Sequence, residues 1–204
     1  MSSDQVIALT TAQAASLTSA QVPGLSTDQI AKIASDDLRA LSSAALRALS
    51  TEQLAALSTE QIAQLSTAQV NALTSTQIQG LGSEDLNALT SLQFTAISSA
   101  QMAALRTDQL RSIGTEDFAA IGTTGLRGLA SQQIAALSSD QIIALSTAQA
   151  ASLSSVQVLG LSSDQIAKLQ TDDLRALSTA AIRVLTSEQF QALNSDQISV
   201  LTTA

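Results

Sequence analysis

Leucine or isoleucine returns at every eighth residue along this chain: Leu9, Leu17, Leu25, Ile33, Leu41, Leu49, and on without a gap to Leu193 and Leu201. Lettering the octad a to h from that residue gives Leu49-Ser50-Thr51-Glu52-Gln53-Leu54-Ala55-Ala56 as a typical copy. Position f is also apolar (Val6, Ile30, Leu54, Ile62, Phe94, Met102, Ile198), with Ala14 and Ala150 the small exceptions. Position c is Ser or Thr in every copy from Ser3 to Thr203, and b is mostly Ser or Thr. Position e is Gln in 18 of 25 copies and Asp in four, Asp37, Asp85, Asp117 and Asp173. Most acids collect at d, and h is usually Ala, Ser or Gly.

A continuous α-helix does not fit this period. At about 100° per residue, eight residues overshoot two turns by roughly 80°, so a and f would wind around the helix instead of forming a stripe. A continuous strand fails because f and the next a are an odd number apart and would face opposite ways. A helix broken once per octad does fit. The f and a residues are then i and i+3 on one face, and the small residue at h lets helices approach closely. Ser and Thr favour helix starts over helix interiors. This reading places the N-caps at c, at Thr51, Thr59, Thr67 and Thr147, with Leu49, Leu54, Leu57, Ile62 and Leu65 in the core. Helices of five or six residues are far below the about 12–15 that hold alone in water. Stability must come from neighbouring units, as in a solenoid. The predicted fold is an all-α superhelix of very short helices, a single array over residues 1–204 of about 25 octads. The pattern leaves open how many octads complete one coil.

A longer duplication overlies the octads: LSTDQIAKIASDDLRALSSAALRAL from Leu25 returns as LSSDQIAKLQTDDLRALSTAAIRVL from Leu161, an offset of 136 residues or 17 octads. Six of the eight glycines fall between Gly80 and Gly128, and the octad 121–128, IGTTGLRG, holds three. Gly weakens a helix interior, so the stretch 114–128 is the expected hinge. Pro23, the sole proline, sits at g and should end its helix early by removing an N–H. Both ends read as repeat without a polar cap, which points to a piece of a longer array.

The chain has no Cys, His, Trp or Tyr, which excludes disulfides, thiolate chemistry and Cys/His zinc sites. A net charge of −8 and only three Phe exclude the basic and stacking surfaces that nucleic acids need. Polar residues interrupt every apolar run, so nothing approaches a membrane span, and the N-terminus lacks the basic and apolar regions of a signal peptide. The acid pairs Asp36/Asp37, Glu84/Asp85, Glu116/Asp117 and Asp172/Asp173 could suggest calcium, but their spacing suits acids in a first helical turn. A hydroxyl nucleophile would need a base, and 26 copies of c cannot all be catalytic serines. The Gln at e resembles the ladders of repeat proteins, in which side-chain amides bond the neighbouring backbone. Arg at g (Arg39, Arg47, Arg111, Arg127, Arg175, Arg183) reads as one solvated face or a sparse docking stripe. No cofactor and no enzyme activity are expected.

Octads such as LSTEQLAALSTEQIAQLSTAQVNAL and LSSDQIIALSTAQAASL resemble the L-[ST]-[ST]-x-Q-[ILV]-x-A repeats of very large bacterial surface or secreted proteins, labelled haem-utilisation or adhesion proteins. The resemblance covers the whole chain and implies an exported, adhesin-like setting, extracellular or at the cell surface. It transfers no functional residue, and only Met1 and Met102 could serve as haem ligands. The expected function is a non-catalytic spacer, soluble in itself and continuous with further repeats of the same array. A protein- or peptide-binding groove is the main alternative, and ice or surface binding by the hydroxyl array a weaker one.

Overall fold

Each octad folds around its own start signal. In the computed structural model, which describes residues 1–201, Ser50 is extended (φ −68°, ψ 165°) and its hydroxyl accepts the backbone N–H of Gln53. The Gln53 side-chain Oε1 in turn accepts the N–H of Ser50 at 2.8 Å. This reciprocal pair is a capping box. It recurs at Ser58 with Gln61, Ser66 with Gln69 and Ser146 with Gln149. The N-caps are therefore at b, and Thr51, Thr59, Thr67 and Thr147 are the first helical residues, one place later than the sequence reading put them. The reason is register: the residue that closes the box must lie three beyond the cap, and Gln at e lies three from b but two from c.

Helices end as regularly as they begin. The N–H at a bonds the carbonyl at f, as Leu57 to Leu54 at 3.1 Å, and the chain then straightens through b. The result among the described residues is 24 α-helices of four to seven residues, one 3-10 turn and no strand. The exception is the octad of Pro23. Its ring removes an N–H, and only the 3-10 turn Val22–Gly24 forms there.

Helices stack on the helix three octads away. Thr147–Ser152 packs against Thr171–Ala176, which packs against Ser195–Leu201, and Ser75–Gly80 packs against Ser99–Ala104. One coil is thus three octads, or 24 residues, and the helices form three columns. The first column carries the octads of Leu25, Leu49 and Leu73, the second those of Leu9, Ile33 and Leu57, and the third those of Leu17, Leu41 and Leu65.

Positions a and f point inward, with Phe190 at f an exposed exception. Leu49, Leu54, Leu57, Ile62 and Leu65 are all at most 4% exposed and belong to one continuous core. Burying each contributes about 1.5–3 kcal/mol before conformational entropy is charged. Positions b, d and g lie outside. Position h meets the coil below closely: a Cβ on Gly128 would lie 2.1 Å from the Ser99 carbonyl, and one on Gly125, at e, 2.8 Å from that of Ile97. No glycine has a positive φ. Two of the glycines in 114–128 therefore serve close backbone approach, as expected of the small residue at h for Gly128 and not expected for Gly125 at e.

Candidate functional site

The most organised polar feature is internal. Position e faces the core, and Gln69, Gln93, Gln101 and Gln149 are each 2% exposed. An amide can be buried only if its donors and acceptor find partners. Here one side chain serves two coils. Gln101 Oε1 accepts the Ser98 N–H at 2.8 Å, while its Nε2 donates to the carbonyls of Leu73 and Val70, both at 2.8 Å, in the coil before. The bond to the a carbonyl 28 residues earlier recurs from Gln53 to Leu25 through Gln197 to Leu169, and Gln29 makes it to Met1. The amides form a ladder down all three columns, always donating toward the N-terminus. The ladder expected of Gln at e is present, and the structure supplies its partners and direction.

Where e is Asp, a carboxylate has no donor for that bond and accepts instead. Thr11 donates its hydroxyl to Asp37 Oδ1 at 2.8 Å and Ser91 to Asp117 Oδ1 at 2.6 Å, each from c in the preceding coil. Thr147 bonds Asp173 in the same way. These four octads carry Ala34, Gly82, Gly114 and Gln170 at b, so none has a hydroxyl cap. Burial raises the pKa of Asp85 and of Asp173 above the ordinary aspartate value. Each acid pair is divided, with Asp36, Glu84, Glu116 and Asp172 exposed and their e partners turned inward. The pairs occupy the second and third helical positions, N2 and N3, within the first turn. Among the described residues no group of three or more acids could hold a metal.

The outer surface is less ordered. All acids at d are exposed and stack in runs: Asp36, Glu60, Glu84 and Asp108 down the second column, Glu116, Asp140, Asp164 and Glu188 down the third. The arginines at g do not share one face. Arg39, Arg111 and Arg183 lie in the second column, Arg127 and Arg175 in the first and Arg47 in the third. A surface cleft of about 420 Å³ is lined by Thr51, Glu52, Gly80 and Arg106 among others. The Arg106 guanidinium in it is already engaged, with the Gln79 carbonyl at 2.6 Å and Asp108 at 3.2 Å, and it holds the Asp108 pKa down. No helix is long and apolar enough to cross a membrane among the described residues.

The duplicated segments do not superpose around the axis. Seventeen octads are five coils and two octads over, so Asp36/Asp37 lie in the second column and their counterparts Asp172/Asp173 in the first. Arg47 moves likewise from the third column to Arg183 in the second.

The family model described as the ALTTAQ repeat matches residues 30–67, 54–83, 79–112, 110–147 and 166–203. Each match spans about four octads or more, so it is longer than one coil. A search of curated proteins found no significant match.

Proposed function

The chain belongs to the ALTTAQ repeat family, and we propose that it acts as a non-catalytic structural spacer within a larger exported bacterial protein. The observation that carries this reading is the rotated duplication. A one-sided recognition surface would be kept in line only by copies displaced in multiples of three octads. A displacement of 17 octads keeps the segment's inter-coil amide bond, Gln29 to Met1 in one copy and Gln165 to Leu137 in the other, while turning the outer residues to another column. What most octads share is the joint between coils, and that joint is what a regular rod requires. The exported setting is supported by the resemblance of the octads to those of bacterial surface proteins. The chain offers the spacer reading no chemistry that competes with it, since its hydroxyls lack a histidine base and its buried amides are occupied by the backbone.

The test is length and stiffness. About 25 octads make about eight coils, and stacked helices about 8–10 Å apart give a rod of roughly 65–80 Å. Cysteines introduced near the ends carry dyes without interference, because the chain has none of its own. Single-molecule energy transfer should give one narrow distance, lengthening by one helix spacing when three octads are inserted at an octad boundary. A broad distribution, or a distance that ignores the insertion, overturns the spacer. The protein- or peptide-binding alternative makes a different demand. Removing one octad would turn the downstream surface by one column and abolish binding, whereas removing three would preserve it.

A further inference from the structure

Asp173 is the one described buried side chain with an oxygen that has no partner. It is 2% exposed, Thr147 supplies one hydrogen bond, and Oδ2 meets none. The site is the one where, in other octads, the Gln amide donates downward. By the register of the ladder, the a carbonyl 28 residues before Asp173 is that of Leu145, in the coil below. Gln170, at b of the same octad, sends its own amide to the carbonyl of Ile143 at 2.9 Å, two residues before Leu145. An ionised carboxylate has only acceptors, so it cannot make the downward bond. A carboxylic acid has one O–H and can.

We propose that Asp173 is a proton-operated latch between two coils: protonated, it donates to the backbone of the coil below as a ladder amide does, and ionised, it only accepts from Thr147. The proton comes from solvent, and no other group need change. The charges around it are few. The helix below, Thr147–Ser152, has no ionisable side chain, and the helix above, Ser195–Leu201, brings Asp196. The latch helix itself carries Asp172 and Arg175, and its chain neighbours Asp164, Lys168 and Arg183. Burial, the largest influence on the Asp173 carboxyl, favours the neutral form, Asp172 adds to it, and Thr147 opposes it. A group whose folded pKa is raised contributes stability that is fully present below the unfolded carboxylate range. That stability is lost as pH rises through the folded value. The joint between these coils is therefore tighter in mild acid. The latch does not depend on the spacer reading, since a binding scaffold would have it too.

Carboxyl-resolved NMR titration of the whole chain tests it, together with hydrogen exchange corrected for intrinsic rates at pH 5 and pH 7. Asp173 should titrate above the ordinary aspartate range. Protection of Thr147–Ser152 and Thr171–Ala176 should rise on acidification. Asp173→Asn, an uncharged mimic of the acid, should show at pH 7 the protection that the unaltered chain reaches at pH 5, with no further rise. Thr147→Val should move the Asp173 midpoint higher still. The latch is overturned if Asp173 titrates at or below the ordinary aspartate value, or if Asp173→Asn leaves the pH response of the two helices intact.

Discussion

Gln101→Ala isolates the joint between coils. The side chain is 2% exposed and touches both coils. Its loss leaves the Leu73 carbonyl without its amide donor, while the Val70 carbonyl keeps a backbone bond from the Leu73 N–H at 3.2 Å. Stranding one buried carbonyl costs about 1–3 kcal/mol. The Ser98 N–H also loses its acceptor at 2.8 Å, but the bond is only part-buried, and water limits that cost to under about 1 kcal/mol. With the lost packing of the side-chain stem, the total is about 2–4 kcal/mol. The variant should still fold, because Ala45 already occupies e in one octad and is fully buried there. The assay is hydrogen exchange of Ser75–Gly80 and Ser99–Ala104, the two helices that the amide joins. In a quasi-one-dimensional array, a local measurement reads the damaged interface more directly than a global melt. Both helices should lose protection together. The comparison is Ser98→Ala, which removes only the cap and should cost about 0.5–2 kcal/mol. If Gln101→Ala costs no more than Ser98→Ala, or if only Ser99–Ala104 loosens, the amide is a local cap and the inter-coil ladder is wrong.

Further outcomes follow from the same geometry. Ser50→Ala should destabilise by about 0.5–2 kcal/mol and Thr51→Ala by less, as judged by urea midpoints; the reverse order would return the cap to c. Gly128→Ala should cost at least about 1–3 kcal/mol because its Cβ would strike the Ser99 carbonyl, while Gly24→Ala meets open space and should be near neutral in thermal melts. The stacked acids at Asp36, Glu60, Glu84 and Asp108 repel at about one helix spacing. That is close to the Debye length in physiological salt, so the melting temperature should rise with sodium chloride; a fall would mean that favourable surface pairs dominate. We propose that 121–128 is the weakest internal octad and the centre of a hinge, since Gly122 offers no cap hydroxyl and Gly125 no amide. Its amides should exchange faster than those of 25–49 and 161–185, and uniform slow exchange would remove the hinge.

Period and residue type carry local information, and much of this protein is local. Apolar residues at f and a with hydroxyls between them demand one short helix per octad, because no longer regular element keeps them on one face. The core at Leu49, Leu54, Leu57, Ile62 and Leu65 could be read for the same reason. The caps could also have been read: Ser-x-x-Gln from b to e is a capping-box spacing, and weighing the invariance of c above that spacing displaced them by one residue. What only the tertiary structure decided is which octads meet. Three octads per coil follows from how the a and f residues of successive helices fill a common interior, and no single octad contains that information. The coil length in turn selects the carbonyl 28 residues back as the amide's partner. It scatters the arginines at g over three columns and turns the duplicated segment onto a different one. A repeat states its own fold eight residues at a time; its surface is settled by the closure of the coil, which depends on contacts between residues far apart in the chain.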